Sequence, residues 1–557
     1  MNMKKFLITI ASVSCALMFS SCDGLLDSVH KEGGYTNETF EWSDTECSQA
    51  IARPYRALSD GDPVYGREMY WEQGVANDIV WGRTRSFNTL ATYEYTGNES
   101  PLTATLDKAY QHGLNSTNWI IESLLARQEK GELTYAQKRT LGEAYFLRGL
   151  WHFLVAYHYG TPDMGVPFDR YEDEGYIIDI PVQRASVMEN YALIVEDFQK
   201  AEDLLPTVQE YSSPERGRAC KQSAAAFMAK VYAYWATYDA SQWPNVIECV
   251  NRLENQYGRA LVSNFKDIFS PDFAKFFNSE YCFSIPSNGG YEGSYGGCEF
   301  PGVTLENKGW GIYNGWGQVK PTQDLYEEMA KDNINGVKNE RLAASILEYG
   351  DEIIFNGEKM KYYSATPDVQ AGFQINKYMQ AFEPKDFVAA GFVSSSGGGF
   401  PTTRVNYPII RFADCLLLRA EAYLVAGNAS AAAADINKIR VRSHLTPISG
   451  NATWTDLYHE RRCELALELA NDHAYDCKRW AFSGNPEIKA LAIAELDTHP
   501  RVRAHANTND PDSEYTIIPY EDYPNHLPWN NKFMTFPWPT NLLAKSAGHL
   551  QNPAAWQ

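Results

Sequence analysis

The spacing of apolar and polar residues predicts a helical protein, and the clearest pattern lies between Arg411 and Leu445. Apolar residues recur there at intervals of three and four, which indicates a helix with one buried face. They are Phe412, Cys415, Leu416, Ala420, Tyr423 and Leu424. Gly427 and Asn428 end this helix, and the alanine-rich run behind them begins a second one. Because such a pair cannot bury its apolar stripe alone, we expect stacked neighbouring pairs.

The same periodicity predicts further helices on both sides of this pair. They cover Thr45 to Leu58, Ala104 to Lys130, Tyr135 to Tyr159, Val187 to Leu205, Ser223 to Tyr238, Pro244 to Gln256 and Trp454 to Ala470. Helix pairs that follow one another about every forty residues are typical of tetratricopeptide-like packing. The pattern therefore predicts a mainly α scaffold that is built from helix pairs.

Helical periodicity is lost in two aromatic-rich regions, residues 64–100 and residues 260–405. A long segment without regular structure is usually functional in a compact protein. In the second region Trp310, Tyr313 and Trp316 lie within seven residues of chain, with glycines between them. Such rings can stack on the apolar faces of sugars. Packing of the same rings onto the helical core explains them equally well, so both interpretations stay open.

The amino terminus has the pattern of a lipoprotein signal peptide. Two lysines precede an apolar run, Phe6 to Phe19, that is too short to span a bilayer. Small residues then lead to Cys22, which we expect to be lipidated. Cys15 is a rival acceptor with a shorter run before it, and an ordinary secreted protein with a chance cysteine is the alternative. The pattern predicts a signal peptide at residues 1–21 and a lipidated tether at residues 22–43.

Net charge and cysteine spacing exclude several classes of function. The formal net charge of −21 argues against binding to nucleic acid or anionic lipid, because both need a basic surface. None of the ten cysteines forms a C-x-x-C pair, so neither a zinc site nor a redox site is expected. Most of them are interpreted as free buried thiols. A disulfide between Cys282 and Cys298 is an open alternative.

Candidate catalytic carboxylates occur on one predicted helix, where Glu460, Glu464 and Glu468 are spaced by four residues. A glycosidase would use a pair of such groups as acid and as nucleophile or base. Arg461 and Arg462 lie beside them, however, and favour an ion-pair network. No nucleophile motif and no H-E-x-x-H pattern is present in the sequence. We therefore predict no catalytic residues and no enzymatic activity.

No metal ligands are predicted either. His152 and His158 are six residues apart and do not share a helix face, so we expect them to pack in the core. Binding of a structural calcium ion by the acidic segment from Asp169 to Glu174 is an open alternative, although this segment lacks EF-hand spacing. Solvated surface charge is the favoured explanation of this segment, and no cofactor is predicted.

Several motifs together resemble the SusD/RagB family of outer-membrane lipoproteins. The first set is Gly142-Glu143-Ala144, Phe146-Leu147-Arg148, Tyr159-Gly160 and Gly165-Val166-Pro167. The second set is Arg411-Phe412-Ala413-Asp414, Ala420-Glu421-Ala422, Ile436-Asn437, Ile439-Arg440 and Arg442. The third set is Glu460-Arg461-Arg462, Glu464-Leu465-Ala466, Glu468, Asp476 and Arg479-Trp480. The ending is Phe536-Pro537-Trp538-Pro539 with Gln551-Asn552-Pro553. Their order spans nearly the whole mature chain, which makes the combination specific, although His473 stands where the family pattern has arginine.

The resemblance implies a mainly α fold in which four tetratricopeptide-like helix pairs form a scaffold. An irregular, loop-rich region packs on this scaffold and carries much of the ligand site. An N-terminal helical region is expected over residues 44–259, with its aromatic loop at residues 64–100. The C-terminal region, residues 260–557, is expected to be loop-rich at 260–405, helical at 406–480 and proline-rich at 481–557. Structural ion pairs are expected at Arg411, Asp414, Glu421 and Arg440.

The resemblance also implies a surface lipoprotein, anchored by lipid in the outer membrane, that captures an oligomeric nutrient, most often a glycan. It would deliver this ligand to a SusC-like TonB-dependent β-barrel transporter, over which it sits as a lid. A peptide or glycoprotein ligand is the alternative with the same fold, and a glycoside hydrolase is a distant one. Expected ligand-binding residues are Trp71, Trp81, Arg83, Tyr291, Tyr295, Trp310, Tyr313 and Trp316. Trp81 and Trp316 are favoured because they lie in irregular segments beside glycine or polar residues.

Overall fold

The computed structural model describes a large part of the chain from residue 40 onward. The described residues are 40–58, 74–82, 85–168, 170, 172, 183–270, 272–286, 308–310, 313–314, 317–355, 358–364, 369–378, 394–395, 401–402, 405–468, 473–523 and 525–557.

Helices make up most of the regular structure. Helices α1 to α8 are Asp44–Arg56, Arg85–Ala91, Ser100–Asp107, Asn115–Gln128, Tyr135–Tyr159, Val187–Leu204, Lys221–Trp235 and Trp243–Asn255. Helices α9 to α16 are Gln323–Ala330, Glu340–Ser345, Phe412–Val425, Ala429–Arg442, Trp454–Glu464, His473–Trp480, Pro486–Asp497 and Thr540–Lys545. A π-helical turn, Lys108–Leu114, joins α3 to α4.

The strands are short, and those described pair only two at a time, always antiparallel. Strands β1 to β7 are Ile79–Trp81, Tyr281–Ile285, Lys308–Trp310, Tyr313–Asn314, Val319–Pro321, Ile346–Glu348 and Glu352–Phe355. Strands β8 to β14 are Glu358–Lys361, Phe373–Ile375, Ser394–Ser395, Pro401–Thr402, Tyr407–Arg411, Arg501–His505 and Tyr515–Pro519. The pairs are β1 with β5, β2 with β12, β3 with β4, β6 with β9, β7 with β8, β10 with β11 and β13 with β14.

The longer helices stack side by side in the order of the chain. Helix α5 packs on both α4 and α6, α6 packs on α7, and α7 packs on α8. Helix α8 then contacts α11, so the N-terminal helices adjoin the α11–α12 pair directly. One large apolar core runs through all of these helices. The predicted mainly α fold with stacked helix pairs is confirmed. No described helix is both long enough and apolar enough to cross a membrane.

The α11–α12 pair forms where the sequence predicts it. Gly427 adopts a left-handed backbone with φ of +75°, which ends α11. The side chain of Asn428 then accepts a hydrogen bond from the main-chain amide of Ala431 at 3.2 Å and so caps α12. Helix α5 also has its predicted bounds, and His152 and His158 are buried within it as expected.

The predicted helix from Ala104 to Lys130 is one helical run that begins earlier and contains the π turn. Gly113 in this turn lies against the ring of Trp151 on α5, so closely that a β-carbon would come within 2.3 Å of the indole. Only glycine permits this approach. The tight crossing with α5 accounts for a glycine and an irregular turn inside a long helix.

One prediction for the C-terminal half is wrong in detail. The helix predicted to end at Ala470 stops at Glu464, whose main-chain oxygen accepts a hydrogen bond from Arg411 Nη2 at 2.8 Å. The proline-rich tail at residues 481–557 also contains regular elements, namely α15, the β13–β14 hairpin and α16. Asn485 caps α15, and Pro486 stands at its first position, where proline favours a helix start.

The middle of the fold holds a buried group of charges, called here the central ion-pair network. Its members are Glu280, Arg341, Arg411, Arg442, Glu460, Glu464 and Glu468, all of them buried. Arg411, at the end of β12, lies 2.7 Å from both Glu280 and Glu464. It also lies 2.8 Å from Glu468. Arg442 on α12 contacts Glu280 at 2.7 Å and pairs with Glu464 as well. The network therefore joins β12, α12 and α13 at one point.

Glu464 lies at the centre of this network. Burial disfavours its charged form, but the guanidinium groups of Arg442, Arg411 and Arg341 outweigh burial and hold the pKa of Glu464 at about 2. The carboxyl group is therefore ionised at neutral pH. Glu460 is likewise paired, at 2.6 Å with Arg341. The prediction that these glutamates form ion pairs is confirmed, but their partners are distant in sequence. The neighbouring Arg461 and Arg462 pair with other carboxylates.

The other predicted structural ion pairs are confirmed as well. Asp414 on α11 lies 3.0 Å from an arginine of α13. Glu421, also on α11, lies 2.6 Å from Arg479 on α14. Arg440 on α12 contacts the network at Glu460, 2.9 Å away. These contacts extend the electrostatic cross-links from α11 and α12 to the helices that follow them.

We expect Glu464→Gln to destabilise the protein by about 3–5 kcal/mol, because it leaves Arg411 and Arg442 buried with too little negative charge. Urea unfolding at neutral pH measures this change. Glu352→Gln is the matched control, since Glu352 pairs with Lys359 at 2.7 Å on the surface and such pairs contribute little. Equal midpoints for the two variants would show that the network is not important for stability.

Candidate functional site

Strands β1 and β5 bring the two aromatic-rich regions of the chain together. Trp81 of β1 pairs with Val319 of β5. The next main-chain amide, that of Gly82, donates to the carbonyl oxygen of Gln318 at 3.0 Å. The candidates Trp71 and Arg83 flank β1 in the sequence, and Trp310, Tyr313 and Trp316 precede β5. Regions far apart in the chain thus meet at one ladder.

Tyrosine hydroxyl groups from the tail fix the main chain of β1. The amide of Trp81 donates to the Tyr523 hydroxyl oxygen at 3.1 Å, and the Trp81 carbonyl accepts from the Tyr520 hydroxyl at 3.1 Å. Burial raises the pKa of Tyr523, so its hydroxyl group stays protonated. Both tyrosines belong to a second, smaller apolar core. Its other members are Val80, Ala91, Val369, Ala371 and Val502.

The structure corrects the prediction for Trp81. Its side chain is only 1% exposed and belongs to the large core, so it presents no open face to a ligand. All three residues of β1 are buried. The sequence held a signal for this, because Ile79-Val80-Trp81 is an unbroken apolar run, which is typical of a strand that is covered on both faces.

The remaining candidates are located only in part. Trp310 and Tyr313 lie on β3 and β4 and are partners in the register of that hairpin. Trp71, Arg83, Tyr291, Tyr295 and Trp316 lie outside the described residues, as does the lipidation site Cys22. The residue after Trp316 is described: Gly317 has a left-handed backbone with φ of +60°, which turns the chain toward β5.

A buried polar group lies next to β1, called here the Asp78 cluster. It consists of Asp78, Arg462, His473 and Glu495. Arg462 on α13 donates from Nε to an Asp78 carboxylate oxygen at 3.0 Å. The Arg462 Nη2 atom lies 2.6 Å from Glu495 on α15. The cluster therefore connects the start of β1 to the helical scaffold, a role that no sequence pattern indicated.

The Asp78 cluster also has an arrangement that could hold a metal ion. Among the described residues, Asp78, His473 and Glu495 each place a ligand atom within 4.8 Å of the others. The Arg462 guanidinium contacts both carboxylates, however, so both already have a positively charged partner. We therefore describe this group as an ion-pair cluster and assign it no metal.

Protonation in the Asp78 cluster follows from its burial. Burial and the nearby positive charge of Arg462 lower the pKa of His473 to about 4. His473 is therefore neutral at physiological pH. Burial also raises the pKa of Glu495, against the attraction of Arg462. A neutral histidine here avoids a second positive charge beside Arg462.

The segment considered for calcium and the proposed disulfide are also partly described. Asp169 and Glu174 lie outside the described residues, but Glu172 between them pairs with Arg148 at 3.0 Å. Cys282 is a free, buried thiol, so the alternative of a bridge to Cys298 is wrong. The described cysteines are free and buried, as predicted: Cys47, Cys220, Cys249, Cys282, Cys415, Cys463 and Cys477.

Comparison with known proteins agrees with the architecture. Residues 277–556 match a family model described as the SusD family. The chain belongs to the SusD family. The N-terminal part of this SusD-family protein, residues 48–233, matches a second model, described as starch-binding and associating with the outer membrane.

Individual relatives are distant in sequence but similar over nearly their full length. A SusD-like protein from Formosa agariphila is 25% identical over 84% of this chain and 90% of its own. The crystal structure of a SusD-like protein from Bacteroides fragilis is 20% identical, with a TM-score of 0.71 over 93% of this chain and 98% of its own. A surface glycan-binding protein from Bacteroides thetaiotaomicron, solved in complex with laminarihexaose, is 16% identical, with a TM-score of 0.64 over 91% and 99%.

We expect the protein to lose about 2 kcal/mol of stability through His473 between pH 7 and pH 5. The folded-state pKa lies below the unfolded value of about 6.5. As the pH falls, the unfolded chain therefore binds the proton before the folded chain does. The stabilisation from neutral His473 is complete above the unfolded pKa and is lost as the pH falls toward the folded-state pKa of about 4. His473→Gln should remove this part of the pH dependence in urea unfolding. His549→Gln, at an exposed histidine, is the control. Identical acid losses in wild type and His473→Gln would contradict this account.

Proposed function

We propose that this SusD-family protein binds oligosaccharides at the cell surface and delivers them to a SusC-like TonB-dependent transporter in the outer membrane. The observation that carries the proposal is the β1–β5 ladder, which joins the two aromatic-rich regions at a buried anchor. A relative of the same fold was solved with laminarihexaose, which supports a glycan as the ligand class. The alternative ligand is a peptide or a glycoprotein, because the strongly negative net charge of the protein would attract basic peptides.

Recognition would combine ring stacking with hydrogen bonds. The proposed contacts are Trp71, Arg83, Tyr291, Tyr295, Trp310, Tyr313 and Trp316. Each stacked ring contributes about 1 kcal/mol beyond the burial of its area, so several rings must act together for useful affinity. Trp81 has a different role, because its buried ring and its paired main chain support the segments on either side.

Binding without catalysis fits the state of the carboxylates that a hydrolase would use. Glu460, Glu464 and Glu468 are buried, and each is paired with arginine or lysine. A general acid needs a raised pKa and access to the glycosidic oxygen, whereas the pKa of Glu464 is held at about 2. We therefore propose that the protein is not an enzyme.

The proposal also includes a lipid anchor at Cys22. Residues 1–21 would be removed as a signal peptide, and residues 22–43 would connect the lipid to the folded part. The description of the N-terminal family model as associating with the outer membrane supports this location. Acyl chains on one cysteine would keep the protein beside its transporter, so the ligand need not diffuse away after capture.

We expect Trp316→Ala to weaken oligosaccharide binding at least about tenfold, because one stacking face and its excluded water are lost. Calorimetric titration with laminarihexaose and a panel of other neutral hexasaccharides measures the effect. Tyr135→Ala is the matched control, since Tyr135 is 64% exposed on the scaffold. An unchanged isotherm for Trp316→Ala would remove this residue from the site, and binding of peptides alone would favour the alternative ligand.

We expect Cys22→Ser to abolish lipidation and to release the protein from the membrane fraction, because no thiol would remain at the proposed cleavage position to carry the lipid. Metabolic labelling with a palmitate analogue, followed by cell fractionation, tests this. Cys15→Ser is the control for the rival acceptor and should keep both label and location. Retention of the label in Cys22→Ser would show that the anchor lies elsewhere.

A further inference from the structure

A second candidate binding site lies on the helical side of the molecule. The run from α3 through the π turn to α4 forms one wall, and the tail from Trp538 to Leu550 forms the other. The groove between them has a volume of about 670 Å³. This lies within the range of about 300–1,000 Å³ that is usual for small-ligand sites. The described residues that line it do not include Trp310 or Tyr313 of the β3–β4 hairpin.

The walls of this groove are fixed by direct contacts. The Asn98 side-chain oxygen accepts from the Thr540 amide at 2.9 Å and from its hydroxyl at 3.0 Å, which holds the start of α16. The ring of Trp538 stacks on Tyr159 at the end of α5, with centroids 4.5 Å apart. The Tyr110 hydroxyl donates to the Pro167 carbonyl at 2.9 Å. A ligand would therefore meet a preformed site and lose less entropy on binding.

The lining has the chemistry of a sugar site. Buried apolar groups of Leu106, Pro167, Trp538 and Pro539 form its floor. Amide side chains stand around it at Gln111, Asn115 and Asn541. Within the described part of the chain these three amides make no side-chain hydrogen bond. Amides can both donate to and accept from sugar hydroxyl groups.

Charge and backbone shape narrow the ligand class further. Among the described residues that line the groove, the carboxylate of Asp107 and the ammonium group of Lys545 balance each other, and the imidazole of His549 lies beside them. A strongly charged ligand would find no excess of opposite charge there. Tyr110 and Gln111 belong to the π turn, Lys108–Leu114, and such turns are frequent at functional sites.

We propose that this groove is a second binding site for a neutral oligosaccharide, separate from the segments that flank β1 and β5. The ligand class rests on the proposed function, while the location rests on the groove itself. Two sites on one molecule would allow a long glycan to be held at two points, which raises its overall affinity through effective concentration.

The test is calorimetric titration of the full mature chain with laminarihexaose, maltohexaose and xylohexaose, one at a time. We expect two sites per molecule for at least one of these hexasaccharides. The double variant Gln111→Ala/Asn541→Ala should retain one site and weaken the other by about tenfold or more, since two ligand hydrogen bonds are lost. Both amides are exposed, so folding should be unaffected. Gln128→Ala, an exposed amide of α4 outside the groove, is the matched control.

The outcomes separate this inference from the proposed function. One site that is lost in Trp316→Ala but kept in the double variant would overturn the groove and leave the proposed function intact. One site that is lost only in the double variant would support the groove and overturn the location proposed at β1–β5. Failure of all three hexasaccharides to bind, or binding of peptides in the groove instead, would overturn the inference.

Discussion

The fold depends on charges that are buried together in the central ion-pair network. Ions taken out of water cost several kcal/mol each unless partners satisfy them. Arg411 meets this requirement with Glu280, Glu464 and Glu468, all within 2.8 Å. Arg411 ends β12, whereas Glu280 precedes β2, Glu464 ends α13 and Glu468 follows α13. The network is satisfied only when these elements are in place, so it specifies how the α11–α12 pair joins the rest of the protein.

The helical scaffold and the tail together hold β1 in place, next to the segments that are proposed to bind the ligand. The helices stack into a scaffold, and β1 is attached to it through Asp78 and Arg462. Tyr520 and Tyr523 hold β1 from the tail. The anchor is therefore buried and held by hydrogen bonds, while the proposed aromatic contacts lie in the segments that flank it in the sequence. Precise placement of a few rings matters because each contributes little alone.

Much of the scaffold could be predicted from sequence, because its signals are local. Periodicity located α5 and the α11–α12 pair, and glutamates spaced by four beside arginines indicated ion pairs. The β1–β5 ladder could not be predicted, since pairing of Trp81 with Val319 leaves no local pattern. The sequence places Trp81 in an irregular segment and so predicts a ligand contact, although its apolar neighbours indicate a buried strand. The π turn depends on contact between Gly113 and Trp151 and is likewise invisible in sequence.

The central claim is that the scaffold supports the site and the segments around β1 and β5 bind the ligand. Hydrogen–deuterium exchange with and without a bound hexasaccharide tests this claim most directly, because it reports every segment at once. We predict that the ligand slows exchange in residues 59–73 and 287–316 and leaves α11 and α12 unchanged. Protection concentrated on α11 and α12, with none in those two segments, would contradict the account.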